Sequence, residues 1–398
     1  MNPIETSTSS NKSTFELIAK TFHGLEEILA QEIREIGGKV ITVQTRAVRF
    51  EADQKVLYRA NLELRTVLRI LKPIHTFRAY KSNQLYSRTQ LVDWSEYMDV
   101  DDTLAIDSVV SSQFFKHSKY ASLKVKDAIV DQFREKTGSR PSIDTSAPTL
   151  RVHLYIKEQE VTLLLDASGD SLHKRGYRLE SNEAPLNEVL AAGLVLLSDW
   201  RGNTPFFDPM CGSATILIEA LMIARNIAPN LQRDYYGFLT WKDFDADLWA
   251  DVLEEAEARI VDCKQPVFGA DISEKTLDIA INNIERAGFE EDIELLVGDF
   301  FEQAAPIEEE GCIIMNPPYG ERLQPEDIEA FYKKIGDAFK KAYTGWEAWV
   351  LSGNIPALKR VGLRASRRLP LFNGPLECRL YQFKMYRGSK KDLYKNED

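Results

Sequence analysis

The chain has 398 residues, 44% hydrophobic and 28% charged, which excludes disorder over most of its length and exceeds the roughly 250 to 300 residues at which one core stops growing. Lys and Arg number 50 against 61 Asp and Glu, so a net charge of -11 excludes a protein that coats nucleic acid indiscriminately. The charge is uneven: residues 1–180 carry 26 basic and 24 acidic side chains and residues 181–398 carry 24 and 37, which leaves only the first half suited to a polyanion-binding face.

Residues 1–13 and 388–398 are polar without apolar period and read as tails. From Thr14 the pattern predicts a strand (FELIA), a helix (GLEEILAQEIREIGG) closed by Gly37 and Gly38, two strands (KVITV, AVRFEA), a helix (QKVLYRANLEL) and an extended segment (TVLRILKPIHTF). A second unit adds a strand (LAIDSVVSS), a long helix ending at Gly138, and two strands (RVHLYIK, VTLLLDA) joined by a tight turn. This is α+β material ending near residue 168. Residues 169–185 have no clean period and read as a connector.

From Leu186 onward, helices alternate with strands TPFFD, PVFGAD, IELLVGD, GCIIMN and EAWVLSG, and ASRRLPLF with ECRLYQFKMY reads as a hairpin at the sheet edge. That rhythm predicts a mostly parallel sheet covered on both faces, which binds ligands at the carboxyl ends of its strands. The helix DLWADVLEEAEARIV is read as part of the same alternation. Four scattered cysteines form no C-x-x-C pair, so neither a disulfide framework nor a metal site is expected. The start lacks a basic, then apolar, leader, and the longest apolar runs are about half a membrane span, so a cytoplasmic protein without membrane attachment is expected.

The chemistry concentrates at strand ends. TPFFD runs into DPMCGSAT, where Gly212 allows close backbone approach at a helix start. The loop has neither a phosphate-loop ending nor three-glycine spacing. Asp271 and Asp299 close the next two strands, so three successive strands finish with a carboxylate at one rim; each could also simply cap the turn that follows it. An acid ending the second strand suits ribose hydroxyls. The fourth strand ends in MNPPYGERL: Pro317 and Pro318 fix where the Asn316 amide oxygen points, and Tyr319 offers an aromatic face. Two preorganised acceptors can hold the hydrogens of an exocyclic base amine while its lone pair develops toward an electrophile.

The set DPMCGSAT, PVFGAD, VGD and NPPYGER resembles the Rossmann-like, S-adenosylmethionine-dependent amino methyltransferases. LHKRGYR followed by APLNEVLAAGL, after an α+β region, is similar to the THUMP-domain guanine-N2 RNA methyltransferases that act on bacterial large-subunit rRNA, over residues 14–387. The resemblance implies a class I methyltransferase domain over 186–387, a basic linker over 169–185, and a ferredoxin-like plus THUMP region over 14–168 with the THUMP core at about 45–168. It places the cofactor loop on Asp208, Met210, Gly212, Ser213 and Thr215, the ribose acid on Asp271 with Ile272 beside it, the adenine acid on Asp299, and the catalytic motif on Asn316, Pro317, Pro318 and Tyr319. Asn316 also borders the cofactor, and Leu186, Asn187 and Glu188 help close its site. His173, Lys174, Arg175 and Arg178 become candidate RNA contacts. The implied partner is 23S rRNA or an assembling large subunit, with no metal. Some relatives continue into a second methyltransferase domain; none follows Asp398, and one activity is expected. The alternatives are an N6-adenine methyltransferase, which shares the NPPY chemistry, and a non-catalytic RNA-binding assembly factor of the same fold.

Overall fold

The computed structural model describes residues 14–178, 186–318 and 325–386. The first half contains β1 (Phe15–Lys20), α1 (Glu26–Glu35), β2 (Lys39–Gln44), β3 (Ala47–Ala52), α2 (Gln54–Glu63), β4 (Arg69–Arg78), α3 (Ser82–Thr89), β5 (Thr103–Ser111), α4 (Ser118–Thr137), β6 (Ser142–Ile143), β7 (Leu150–Lys157) and β8 (Glu160–Asp166). The two units read from the sequence share one eight-stranded sheet in the order β2-β3-β1-β4-β8-β7-β5-β6. The ten-residue β4 makes the joint. It pairs with β1 at its start and with β8 from Leu71↔Asp166 to Arg78↔Glu160, with an irregularity between Pro73 and His75 where proline cannot donate to the ladder. Helix α3 carries no period in the sequence because only Leu85 and Thr89 are buried on it.

The second half contains α5 (Glu188–Leu197), β9 (Phe206–Asp208), α6 (Thr215–Ala224), α7 (Ala246–Glu257), β10 (Val267–Asp271), α8 (Glu274–Ala287), β11 (Ile293–Val297), β12 (Cys312–Met315), α9 (Pro325–Ala342), β13 (Glu347–Ser352), a short α10 (Ile355–Leu358), β14 (Arg367–Asn373) and β15 (Leu376–Lys384). The sheet order is β11-β10-β9-β12-β13-β15-β14, parallel through β13 and antiparallel at the final hairpin. The strand order reverses between β9 and β12, which opens a crevice at their carboxyl ends. Helices α5, α6 and α8 share a core with Phe206, Val267 and Ile314, and α9 covers Phe207, Ile313 and Val350 on the other face.

One helix packs away from this sheet. The segment from Tyr236 through α7 is built into the core of the first half, where the buried Tyr58 ring meets Phe238 at 4.7 Å, Trp249 at 5.7 Å and Phe244 at 5.9 Å. Its helical period is as predicted; its partner is not the neighbouring strand, since its apolar residues Leu248, Val252 and Ala256 complete the core over α2. A second contact joins the halves where Leu25 presses on α5: a Cβ added at Gly193 would lie 2.7 Å from a Leu25 methyl, so glycine is required for that approach. Among the described residues no helix is long and apolar enough to cross a membrane.

Candidate active site

Three strand ends and one proline-locked turn enclose a cavity of about 690 Å³ at the crevice. The loop after β9 is shaped by two left-handed residues, Gly212 (φ +56°) and Ala214 (φ +65°), which swing the backbone over the rim before α6 begins. Two side-chain ties fix it. Gly212 N–H donates to Asp271 Oδ2 at 3.2 Å, and Asn283 of α8 donates to the Ser213 carbonyl at 3.0 Å. Among the described residues nothing beyond its chain neighbours lies within 4 Å of a Cβ built on Gly212, which lines the cavity; that space fits an organic ligand held close to backbone.

Each rim carboxylate accepts from the backbone N–H two residues on: Asp208 from Met210 (3.2 Å), Asp271 from Ser273 (3.0 Å) and Asp299 from Phe301 (3.0 Å). The capping role is therefore present, and all three acids also line the cavity. Asp208 is fully buried, and burial, reinforced by Asp271, outweighs the Met210 bond and pushes its carboxyl up to about 8. Asn316, Pro317 and Pro318 line the same cavity. The Asn316 Oδ1 atom is buried with no hydrogen-bond partner among the described residues, a costly state that a donor reaching it would relieve. Tyr319 lies outside the described residues.

Leu186, Met210, Ser213, Thr215 and Ile272 also line the cavity. Asn187 and Glu188 do not. Asn187 caps α5 by accepting from Val189 N–H at 3.0 Å, and the buried Glu188 pairs with Arg178 at 3.3 Å, so both shape the wall from behind. The reading missed Phe301 and Phe331, which meet edge to face at 5.2 Å, and Asn373 and Leu376 in the β14–β15 turn. The doublet Phe300–Phe301 directly after Asp299 was a usable signal; nothing local in the sequence marks the distant turn. Cys211 and Cys312 are buried, and burial pushes both thiols up, which leaves them as packing groups.

The basic cluster requires correction. Arg175 is buried: it pairs with Glu219 at 3.4 Å and donates to the carbonyls of Leu172 (2.7 Å) and Arg65 (2.5 Å) and to Asn230 Oδ1. Arg178 is turned inward toward Leu186, Thr215 and Glu188. His173 is half-buried against Ser171, and burial, aided by Arg175 and Lys174, pushes its imidazole down to about 4, so it is uncharged at neutral pH. Lys174 alone is exposed, beside Asp170 at 3.2 Å. Charge in the sequence cannot distinguish a solvated arginine from one that satisfies buried carbonyls.

Family models match three consecutive segments: an RlmL ferredoxin-like domain at 16–71, a THUMP domain at 79–166, and an RMKL-like methyltransferase domain at 175–382. The chain belongs to the THUMP-containing RNA methyltransferase family. Its relative slr0064 of Synechocystis, named as an RNA methyltransferase, is 38% identical over 370 residues, 92% of this chain and 96% of that one. A crystal structure of the methyltransferase SMU.472 complexed with S-adenosylhomocysteine superposes with TM-score 0.86 at 29% identity, covering 95% of this chain and all of that one. A Listeria monocytogenes chain called a predicted N6-adenine-specific DNA methylase follows at TM-score 0.83 and 32% identity, covering 95% and 97%. Among the described residues no group of His, Cys, Asp and Glu is arranged to hold a metal ion.

Proposed function

We propose that this methyltransferase uses S-adenosylmethionine to methylate the exocyclic N2 amine of a guanosine in 23S rRNA. The observation that carries the reading is that Asn316 and three rim acids line one cavity, with the Asn316 Oδ1 buried and unpartnered among the described residues. The orphaned acceptor suits an amine hydrogen, the open cradle at Gly212 suits the methionine end of the cofactor, and Asp271 suits its ribose hydroxyls. When bound, the cofactor supplies an electrophilic methyl group. Asn316 Oδ1 and the Pro317 carbonyl hold the amine hydrogens so that the nitrogen lone pair points along the line of displacement; the N–C bond forms as the methyl's bond to sulfur breaks, S-adenosylhomocysteine leaves, and the methylated amine gives up one proton to solvent. The ferredoxin-like and THUMP matches favour RNA over DNA. The second reading, N6-adenine methylation, is favoured only by the name of the Listeria relative. Nucleoside analysis of 23S rRNA from cells with and without the chain decides between them: loss of an N2-methylguanosine supports the proposal, and loss of an N6-methyladenosine overturns it.

RNA is received, in this reading, at one end of the eight-stranded sheet. There the exposed Tyr80 and Phe114 rings meet edge to face at 5.2 Å, with Lys81, Lys116, His117 and Lys119 exposed around them. The 111–117 loop is tied to the β7–β8 turn by Ser112, whose hydroxyl donates to the Glu158 carbonyl at 2.6 Å. Aromatic faces interleaved with cations suit single-stranded bases and phosphates. Tyr80→Ala with Phe114→Ala is expected to weaken rRNA binding by about 1 to 3 kcal/mol for each base unstacked, with cofactor affinity unchanged; unaltered rRNA binding in a filter assay would remove this face from the interface.

Asp208 sets a pH dependence. Below about 8 this carboxyl holds its proton in the protein alone, and a cationic ligand binds the anionic form better, so binding is expected to release that proton. Affinity for S-adenosylmethionine is therefore expected to rise about tenfold per pH unit from pH 6 toward 8 and to be lost as pH falls. Calorimetry should show proton release over that window and none in Asp208→Asn; a flat profile in the unsubstituted protein would contradict the assignment.

A further inference from the structure

We infer that Arg178 is a positioning residue for the cofactor cavity, holding two of its walls in register, and is not an RNA contact; the inference rests on the reading of the cavity as the cofactor site. Its guanidinium Nη2 donates to the Leu186 carbonyl at 2.9 Å and to the Thr215 hydroxyl at 2.5 Å, while Nη1 lies 3.3 Å from the Glu188 carboxylate. Leu186 and Thr215 both line the cavity; Arg178 does not. One planar group therefore bridges the segment that closes the cavity on one side and the first helical residue after the Asp208–Ala214 loop on the other.

The same helix face is gripped again one turn later. Glu219, four residues after Thr215, accepts from the Tyr177 hydroxyl at 3.0 Å and pairs with Arg175, and Arg175 reaches back to the Arg65 carbonyl of the first half. The run from Arg175 to Arg178 is thus a strap laid along α6, anchored in the N-terminal module.

Helix stability does not explain Arg178. It sits at the first turn of α6, the positive end of the helix dipole, where a cation is unfavourable. Its Nε atom is buried without a partner among the described residues, and burial pushes the Glu188 carboxyl up despite the pull of Arg178. An arginine kept at such a place is explained by what its two-pronged geometry holds. Lysine would keep the charge and has three N–H donors, but on a flexible stem it lacks the rigid planar fork that sets the Nη2 bonds to Leu186 and Thr215 beside the Nη1 contact with Glu188.

The test uses the full chain and three variants, Arg178→Ala, Arg178→Lys and Thr215→Val, each checked for folding by circular dichroism. The dissociation constant for S-adenosylhomocysteine is measured by calorimetry, KM for S-adenosylmethionine and kcat at saturating cofactor by methylation, and rRNA affinity by filter binding. Arg178→Ala is expected to raise the dissociation constant and KM at least about tenfold, with kcat at saturation within about threefold and rRNA affinity unchanged. Arg178→Lys should restore only part of the loss, and combining Arg178→Ala with Thr215→Val should cost less than the product of the two single effects, because both cut the same bridge. Should Arg178→Ala fail to fold, Arg178→Lys carries the test. Cofactor affinity equal to that of the unsubstituted protein in a folded variant overturns the inference, as does full restoration by lysine or a loss confined to rRNA affinity. Failure of the unsubstituted protein to bind S-adenosylhomocysteine would instead defeat the cofactor reading on which the inference stands.

Discussion

Asn316→Ala is expected to lower the single-turnover rate of methylation at saturating rRNA and cofactor by at least about 100-fold, the scale of losing one preorganised electrostatic partner. The amide oxygen is already buried and without a partner among the described residues, so its cost is met in the folded protein and its benefit appears when the target nitrogen gains positive character. An interaction that strengthens in the transition state is lost from kcat, while one felt equally in the ground state is lost from KM. Affinity for the cofactor should stay nearly unchanged, since the rim acids and the Gly212 loop are untouched. The substitution also removes an unsatisfied buried acceptor, so the variant should be at least as stable as its parent, which separates a catalytic loss from a folding defect. Near-normal turnover in a folded Asn316→Ala protein would return the chain to the non-catalytic reading.

The second large effect is on stability. Arg175→Ala is expected to destabilise the protein by about 3 to 5 kcal/mol, the range for removing one partner of a buried ion pair. Its guanidinium satisfies Glu219 and Asn230 of the second half and the backbone carbonyls of Arg65 and Leu172, and deletion leaves all of them short of a donor in a buried interface. Chemical denaturation should show the lowered midpoint. Replacing the pair together, Arg175→Met with Glu219→Leu, should recover much of the loss, because the desolvation of both charges is then avoided. At temperatures where the single variant is folded, rRNA affinity should match that of the unsubstituted protein. A stable Arg175→Ala protein with weakened rRNA binding would restore the phosphate-contact expectation drawn from the sequence.

Much of the cavity rim was legible in the sequence, and the reason is local. Asp208 and Asp271 end, and Asp299 follows by two residues, a strand whose apolar run is visible, and each is followed within a few residues by the loop it shapes, so identity and position travel together in the chain. The same holds for Asn316 with Pro317 and Pro318. Helix and strand assignments succeeded wherever the apolar period was strong, as in α8 and β7, and failed at α3, whose eight residues bury too little to leave a pattern.

What only the tertiary structure decided depends on partners far apart in sequence. The pairing of β4 with β8 joins segments about 90 residues apart and turns two apparent units into one sheet. The 236–256 segment looks like one more helix of the alternating domain, yet its apolar face is buried on Tyr58 and α2. Removing residues 1–168 would lay that face open to water. The run His173 to Arg178 reads as a basic, solvent-facing connector, whereas the structure places two of its arginines inside, where buried carbonyls and carboxylates compensate their desolvation. Residue type and spacing determine which groups are available for chemistry. Whether a charge meets water, a ligand or another buried charge is set by which distant segments close over it, and that information is carried by the packed chain as a whole.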